Sequence, residues 1–120
     1  MPVIHLRGLA PAGGSAPIEA ALTGIADAVH GVVGGDPGDT WCTFTAVDAM
    51  SIGTRIVTGD GQILYLDCTI SPRGAEVESA VLAAACRAAA AGFAVPIADV
   101  WGTLRLVDAD RTFAGGAPLG

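Results

Sequence analysis

The spacing of apolar positions along the chain switches between two periods and then repeats the whole sequence of switches. Residues 2 to 9 (PVIHLRGL) are apolar and partly alternating, the two-residue period of a strand, and the Pro/Gly/Ser cluster at 11 to 15 ends them. Ile18, Leu22, Ile25, Val29 and Val32 then recur at helical spacing, with Ser15 as the predicted N-cap and Gly31, Gly34 and Gly35 closing the helix. Alternation returns over residues 40 to 47, rich in aromatic and β-branched side chains, as a second strand. A connector at 48 to 61 holds a predicted hairpin, residues 55 to 58 turning at 59 to 61, and leads into a strand over 62 to 70. The order then starts over. Residues 75 to 91 read as an Ala-rich helix turning Val77, Val81, Leu82, Ala85 and Ala89 inward and ended by Gly92, and residues 100 to 107 form the closing strand.

The repetition is visible residue by residue. Residues 39 to 49 (DTWCTFTAVDA) and 99 to 109 (DVWGTLRLVDA) agree at six of eleven positions at an offset of sixty, and Leu6, Gly14, Ala20, Leu22 and Ala28 match Leu66, Gly74, Ala80, Leu82 and Ala88 at the same offset. We read a single domain spanning residues 1 to 120, built from pseudo-repeats at about 1 to 60 and 61 to 120. Two β-α-β units of this length predict an α+β fold with one four-stranded sheet and both helices on one face, because right-handed crossovers put each helix on the same side. The other face is then bare, and strands this apolar predict that a symmetric homo-oligomer covers it. Trp41 and Trp101, equivalent in the two units, read as paired core anchors.

Composition narrows the function classes. With 120 residues, 52% hydrophobic content and a mean hydropathy of +0.57, the chain can fill a core, and no apolar run approaches a membrane span. Nothing resembles a secretory leader, and Cys42, Cys68 and Cys86, odd in number and without metal-ligand spacing, read as free thiols, so the expected compartment is the reducing cytoplasm. A net charge of -6 leaves no basic stripe for nucleic acid. All six basic residues are Arg, whose planar fork grips carboxylates, although biased codon usage would also remove Lys. The Gly-rich stretch 31 to 38 lacks dinucleotide and phosphate-loop spacings and reads as a loop, and no metal-binding set is present.

A short chain opening Met-Pro and an apolar strand, and built from two β-α-β halves, resembles the tautomerase superfamily of 4-oxalocrotonate tautomerase and macrophage migration inhibitory factor. Three stretches are most similar to its malonate semialdehyde decarboxylase branch: Ala28-Val-His30-Gly with Asp39-Thr-Trp41, Ser71-Pro-Arg73-Gly, and residues 108 to 116 (DADRTFAGG). The resemblance implies a homotrimer that needs no cofactor or metal and acts on a small 2-oxo or enol carboxylate. It implies that Pro2, freed as a secondary amine by removal of Met1, is the general base, its pKa lowered by desolvation and a neighbouring Arg. Gln62, its repeat counterpart, has an unreactive amide, so each chain carries one such site. Arg73 is implied to hold the substrate carboxylate. Asp39 matches the acid that acts on water in the decarboxylase branch, yet Asp99 at the repeat position shows that the same residue serves equally as a turn former. Arg111 is expected as a second positive contact and Phe113 as an apolar wall, through a C-terminal segment reaching a neighbouring subunit's pocket. His30 lies where related hydratases place a substrate-contacting His, whereas His5 and His30 are otherwise ordinary residues. The branch's additional loop arginines are missing here and Arg111 replaces an aromatic residue, which favours tautomerisation. Hydratase-type decarboxylation or dehalogenation, with Asp39 and a cationic Pro2, is the alternative, and a catalytically silent oligomeric binding protein is the third reading.

Overall fold

The computed structural model describes residues 1 to 57 and 63 to 119. Strand β1 (Val3–Gly8) leads to helix α1 (Ser15–Val33), a short 3-10 turn (Pro37–Asp39) and strand β2 (Trp41–Ala46). A small hairpin of β3 (Ser51–Ile52) and β4 (Arg55–Ile56) follows. Strand β5 (Leu64–Ile70), helix α2 (Ala75–Gly92), a second 3-10 turn (Ile97–Asp99) and β6 (Val100–Leu106) come next, and a terminal hairpin of β7 (Phe113–Ala114) and β8 (Ala117–Pro118) closes the chain. The main sheet has four strands in the order β2-β1-β5-β6. β1 runs parallel to β2, antiparallel to β5, and β5 runs parallel to β6.

The strict alternation of β1 and β5 decides which way the sheet faces. Ile4, Leu6, Leu64, Leu66, Cys68 and Ile70 are buried and pack with Ile25 and Val29 of α1 and Val81, Ala85 and Ala89 of α2, so both helices cover one face. That is the α+β arrangement the periodicity predicts. The helices approach closely at α2's last residue: a Cβ on Gly92 would lie 2.7 Å from the Cβ of Ala21 and 2.9 Å from its Cα, so only a hydrogen fits.

Four local expectations need correction. Ser15 is the first helical residue rather than the cap; the N-cap is Gly14 at φ 77, a conformation open to glycine, and no side chain caps the helix. Gly31 lies inside α1, which ends at Gly34 with φ 70. The hairpin forms earlier than expected, turning at Gly53 (φ 60) and Thr54 between β3 and β4, while the turn expected at 59 to 61 and Gln62 fall outside the described residues. Trp41 and Trp101 are not core residues: they are 58% and 68% exposed. Their strands place Cys42 and Phe44, or Gly102 and Leu104, on the helix side, which forces the indoles to the opposite face.

That opposite face is less apolar than the strands as a whole. Alternation sends the aliphatic residues inward, and Val3, His5, Arg7, Thr43, Thr45, Tyr65, Asp67, Thr69, Thr103 and Arg105 outward. Asp67 joins them at the centre, accepting from Arg7 Nη2 at 2.9 Å and from Thr103 Oγ1 at 2.7 Å, and Thr43 Oγ1 bonds His5 Nδ1.

Candidate active site

The chain's first residues enter the fold as the start of an interior strand. Pro2 lacks a backbone N–H, which suits a position where no ladder donor is needed. Its carbonyl accepts from the Trp41 backbone N–H at 3.0 Å, and its ring is fully buried. The terminal amine of the described chain is that of Met1, one residue before it. Burial lowers its pKa below the ordinary value, Arg73 lowers it further, and Asp39 works in the opposite sense.

Each of those two charged groups is held by its local backbone. Arg73 follows the end of β5 in the Ser71 to Gly74 connector, where Gly74 adopts φ 91 to turn into α2. The Glu78 carboxylate in the first turn of α2 accepts from the backbone N–H of Arg73 at 2.8 Å and of Gly74 at 2.9 Å, closing the loop against the helix start. Asp39 ends the 3-10 turn Pro37–Asp39, itself pinned by the Asp36 side chain accepting from Gly38 N–H at 2.9 Å. The Trp41 indole Nε1–H donates to the Gly38 carbonyl at 3.1 Å.

Beside the terminal residue a groove of about 320 Å³ opens. Met1, Val3 and Trp41 form one side, and Thr69, Ile70 and Ser71 at the end of β5 form its floor. The C-terminal segment supplies the rest through Arg111, Thr112, Phe113 and Leu119. This segment is bound to the chain's own body by Val107 N–H to Ile70 O at 2.9 Å and to itself by Leu119 N–H to Thr112 O at 2.9 Å. Arg111 and Phe113 thus stand beside the N-terminus of the same chain. Phe113 is 70% exposed, so its ring is available as a wall rather than spent in the core.

Of the residues singled out in the sequence, Arg111 and Phe113 line the groove with Met1, and Arg73 and Asp39 act electrostatically on the terminal amine. His30 is not brought to the groove: it sits in the last turn of α1, with Nδ1 buried and without a hydrogen-bond partner among the described residues. Trp41, Ser71 and Glu78 were missed. The Trp41 signal was present in the alternation of β2, which puts position 41 on the face opposite Cys42 and Phe44. Among the described residues no group of three His, Cys, Asp or Glu side chains comes together as a metal would require.

No protein-family profile and no curated protein matches the chain by sequence. Solved structures do. A fused 4-OT crystallised as a symmetric trimer superposes with a TM-score of 0.81 at 16% identity, covering 96% of this chain and 93% of that one. The fold is that of the tautomerase superfamily. Pt0534, solved after inactivation by 2-oxo-3-pentynoate, gives a TM-score of 0.84 at 14% identity over 98% of this chain and 94% of its own. N1, a member of the cis-3-chloroacrylic acid dehalogenase family, gives 0.77 at 16% identity over 98% and 83%. Tautomerase-type and dehalogenase-type neighbours thus share this architecture.

Proposed function

We propose that the chain is a cofactor-independent keto-enol tautomerase acting on a small 2-oxo or enol carboxylate, with Pro2, freed by removal of Met1, as general base. The observation that carries the reading is the setting of the chain's start: burial and Arg73 both favour the neutral form of the Met1 amine, the Pro2 nitrogen lies one residue on and takes over that setting once Met1 is removed, and the groove that Met1 lines holds a second arginine. A neutral secondary amine takes the proton from the enol oxygen or from the carbon next to the keto group, and returns it to the other atom. Arg73 holds the carboxylate and stabilises the enolate charge that forms during the transfer, while Arg111 is the second positive contact and Phe113 packs against the substrate's carbon skeleton. His30 takes no part in this reading, since it does not line the groove. The protein acts as a homotrimer in the cytoplasm, in line with the trimeric fused 4-OT neighbour, and no described helix is long and apolar enough to cross a membrane.

Asp39 gives one alternative a specific footing. Its charge favours the protonated amine, the form that hydratase-type decarboxylation or dehalogenation requires, with Asp39 acting on water. The two readings separate in the pH profile: the base loses rate as pH falls below the amine's pKa, and the acid loses rate as pH rises above it.

The test begins with the mass of the N-terminal peptide. Incubation with 2-oxo-3-pentynoate, a conjugate acceptor for an unprotonated amine and the inactivator of one structural neighbour, is expected to add one reagent mass to a peptide beginning at Pro2. Turnover of phenylpyruvate or 2-hydroxymuconate is expected to disappear with that labelling and in Pro2→Ala. An intact Met1 with no labelling and no turnover leaves only the silent oligomer.

A further inference from the structure

Trp41 makes two hydrogen bonds that connect separate parts of the site. Its backbone N–H donates to the carbonyl of Pro2 at 3.0 Å, as the parallel pairing of β1 and β2 requires. Its indole N–H reaches back to the carbonyl of Gly38 at 3.1 Å, inside the turn that ends in Asp39. Trp41 therefore bridges, through its backbone and its side chain in turn, the residue next to the terminal amine and the turn carrying the nearby carboxylate, and it lines the groove. At 58% exposure the indole is only partly covered, and its bond to Gly38 ties it to the turn.

The other half of the chain provides an internal comparison. Trp101 occupies the equivalent position, sixty residues on, after an equivalent 3-10 turn ending in Asp99. Its indole makes no such bond to that turn among the described residues, and it is 68% exposed. The bond is present in the half that carries the terminal amine. We propose that Trp41 is a positioning residue that fixes the Asp39 carboxylate relative to the N-terminal nitrogen through the Gly38 carbonyl. The pairing of Trp41 with Pro2 and Val3 brings the turn ending in Asp39 beside the chain's start, where Asp39 is the negative charge acting on the Met1 amine, opposed by Arg73, so its placement bears on the charge of the nitrogen that begins the chain.

This inference rests on the proposed role of the terminal amine, and its test is read on the amine itself so that the two fail separately. Trp41→Phe keeps an aromatic ring in the groove and removes the N–H donor along with part of the indole's bulk. The amine is titrated by NMR in the wild type, Trp41→Phe, Asp39→Asn and the double variant, with Trp101→Phe as control. The expected result is a lower titration midpoint in Trp41→Phe, the same direction as in Asp39→Asn, no further shift when the two are combined, and no change in Trp101→Phe. An unchanged midpoint in Trp41→Phe, or the same displacement with and without Asp39, overturns the inference. The titration is independent of turnover: if Pro2→Ala leaves the catalytic rate intact, the general-base reading fails while the positioning result still stands. Thermal melts of all variants confirm that each midpoint belongs to a folded protein.

Discussion

At the chain's start burial and the charge of Arg73 point the same way: both lower the pKa of the Met1 amine, and the proposed base, Pro2 freed of Met1, takes over that setting. A lowered amine pKa means that, in the base reading, kcat/KM is complete above that pKa and falls as pH drops through it. Arg73→Ala removes a charge that disfavours the cation, so the acid limb moves to higher pH, and the loss of the carboxylate contact lowers kcat/KM by about 10²-fold. Asp39→Asn moves the limb the other way. Rate against pH for the three proteins checks both directions, and a limb that stays in place removes the amine from the mechanism. Arg111→Ala is expected to raise KM about tenfold, the worth of one hydrogen bond to a charged group, with kcat little changed; an unaltered kcat/KM assigns Arg111 to the surface. The candidates at 2, 39, 73, 111 and 113 were read from the sequence as residue types, and of these the structure brings Arg111 and Phe113 to the groove beside Met1. Trp41 was misread because residue size argued for the core, whereas strand alternation, a geometric constraint, sends it outward.

The elements follow the periodicity closely because burial on one face is what the periodicity encodes. Helix α2 can be made largely of alanine since it lies close to the sheet, where a side chain on Gly102 of β6 would overlap Cys86 Sγ and come within 3.2 Å of Leu82 Cδ1. Gly102→Ala is therefore expected to cost about 1–3 kcal/mol by overpacking, and Cys86→Ala in the same chain to recover part of the loss. Urea midpoints of the two singles and the double measure this; strictly additive effects remove the contact from the account. The same dry interior pushes the Cys42 and Cys68 thiols up to about 11. Their protons are held more tightly in the fold than in the unfolded chain, so the stabilisation is complete below the ordinary thiol value of 9.0 and is lost as pH rises toward about 11. Urea midpoints across that interval are expected to fall, and less steeply in Cys68→Ala. Helix ends and the hairpin were less legible: several glycines compete for each turn, and only the positive φ at Gly14, Gly34 and Gly53 decides among them.

For the whole molecule the open question is what meets the sheet face that the helices leave bare. The polar centre around Asp67 satisfies itself within the chain, with Arg7 and Thr103 both donating to the same carboxylate. Burying that centre against another copy would still have to provide acceptors for the remaining N–H groups of Arg7. The apolar surface lies away from it: β6 carries Trp101 at the sheet edge beside Tyr65 of β5, and Ile52 of the β3–β4 hairpin extends the patch. Trp101 and Ile52 are 68% and 44% exposed, a cost that a soluble chain avoids unless the surface is covered. If copies meet through this edge, association stabilises the fold by mass action and the melting temperature rises with protein concentration. Trp101→Glu places a charge in the contact, far in sequence from the terminal amine, and is expected to shift light-scattering masses from three chains toward one and to abolish the concentration dependence of melting. A wild-type chain that runs as a monomer with a concentration-independent melt defeats the idea at once. A trimer untouched by Trp101→Glu keeps the assembly but moves its contacts elsewhere on the sheet.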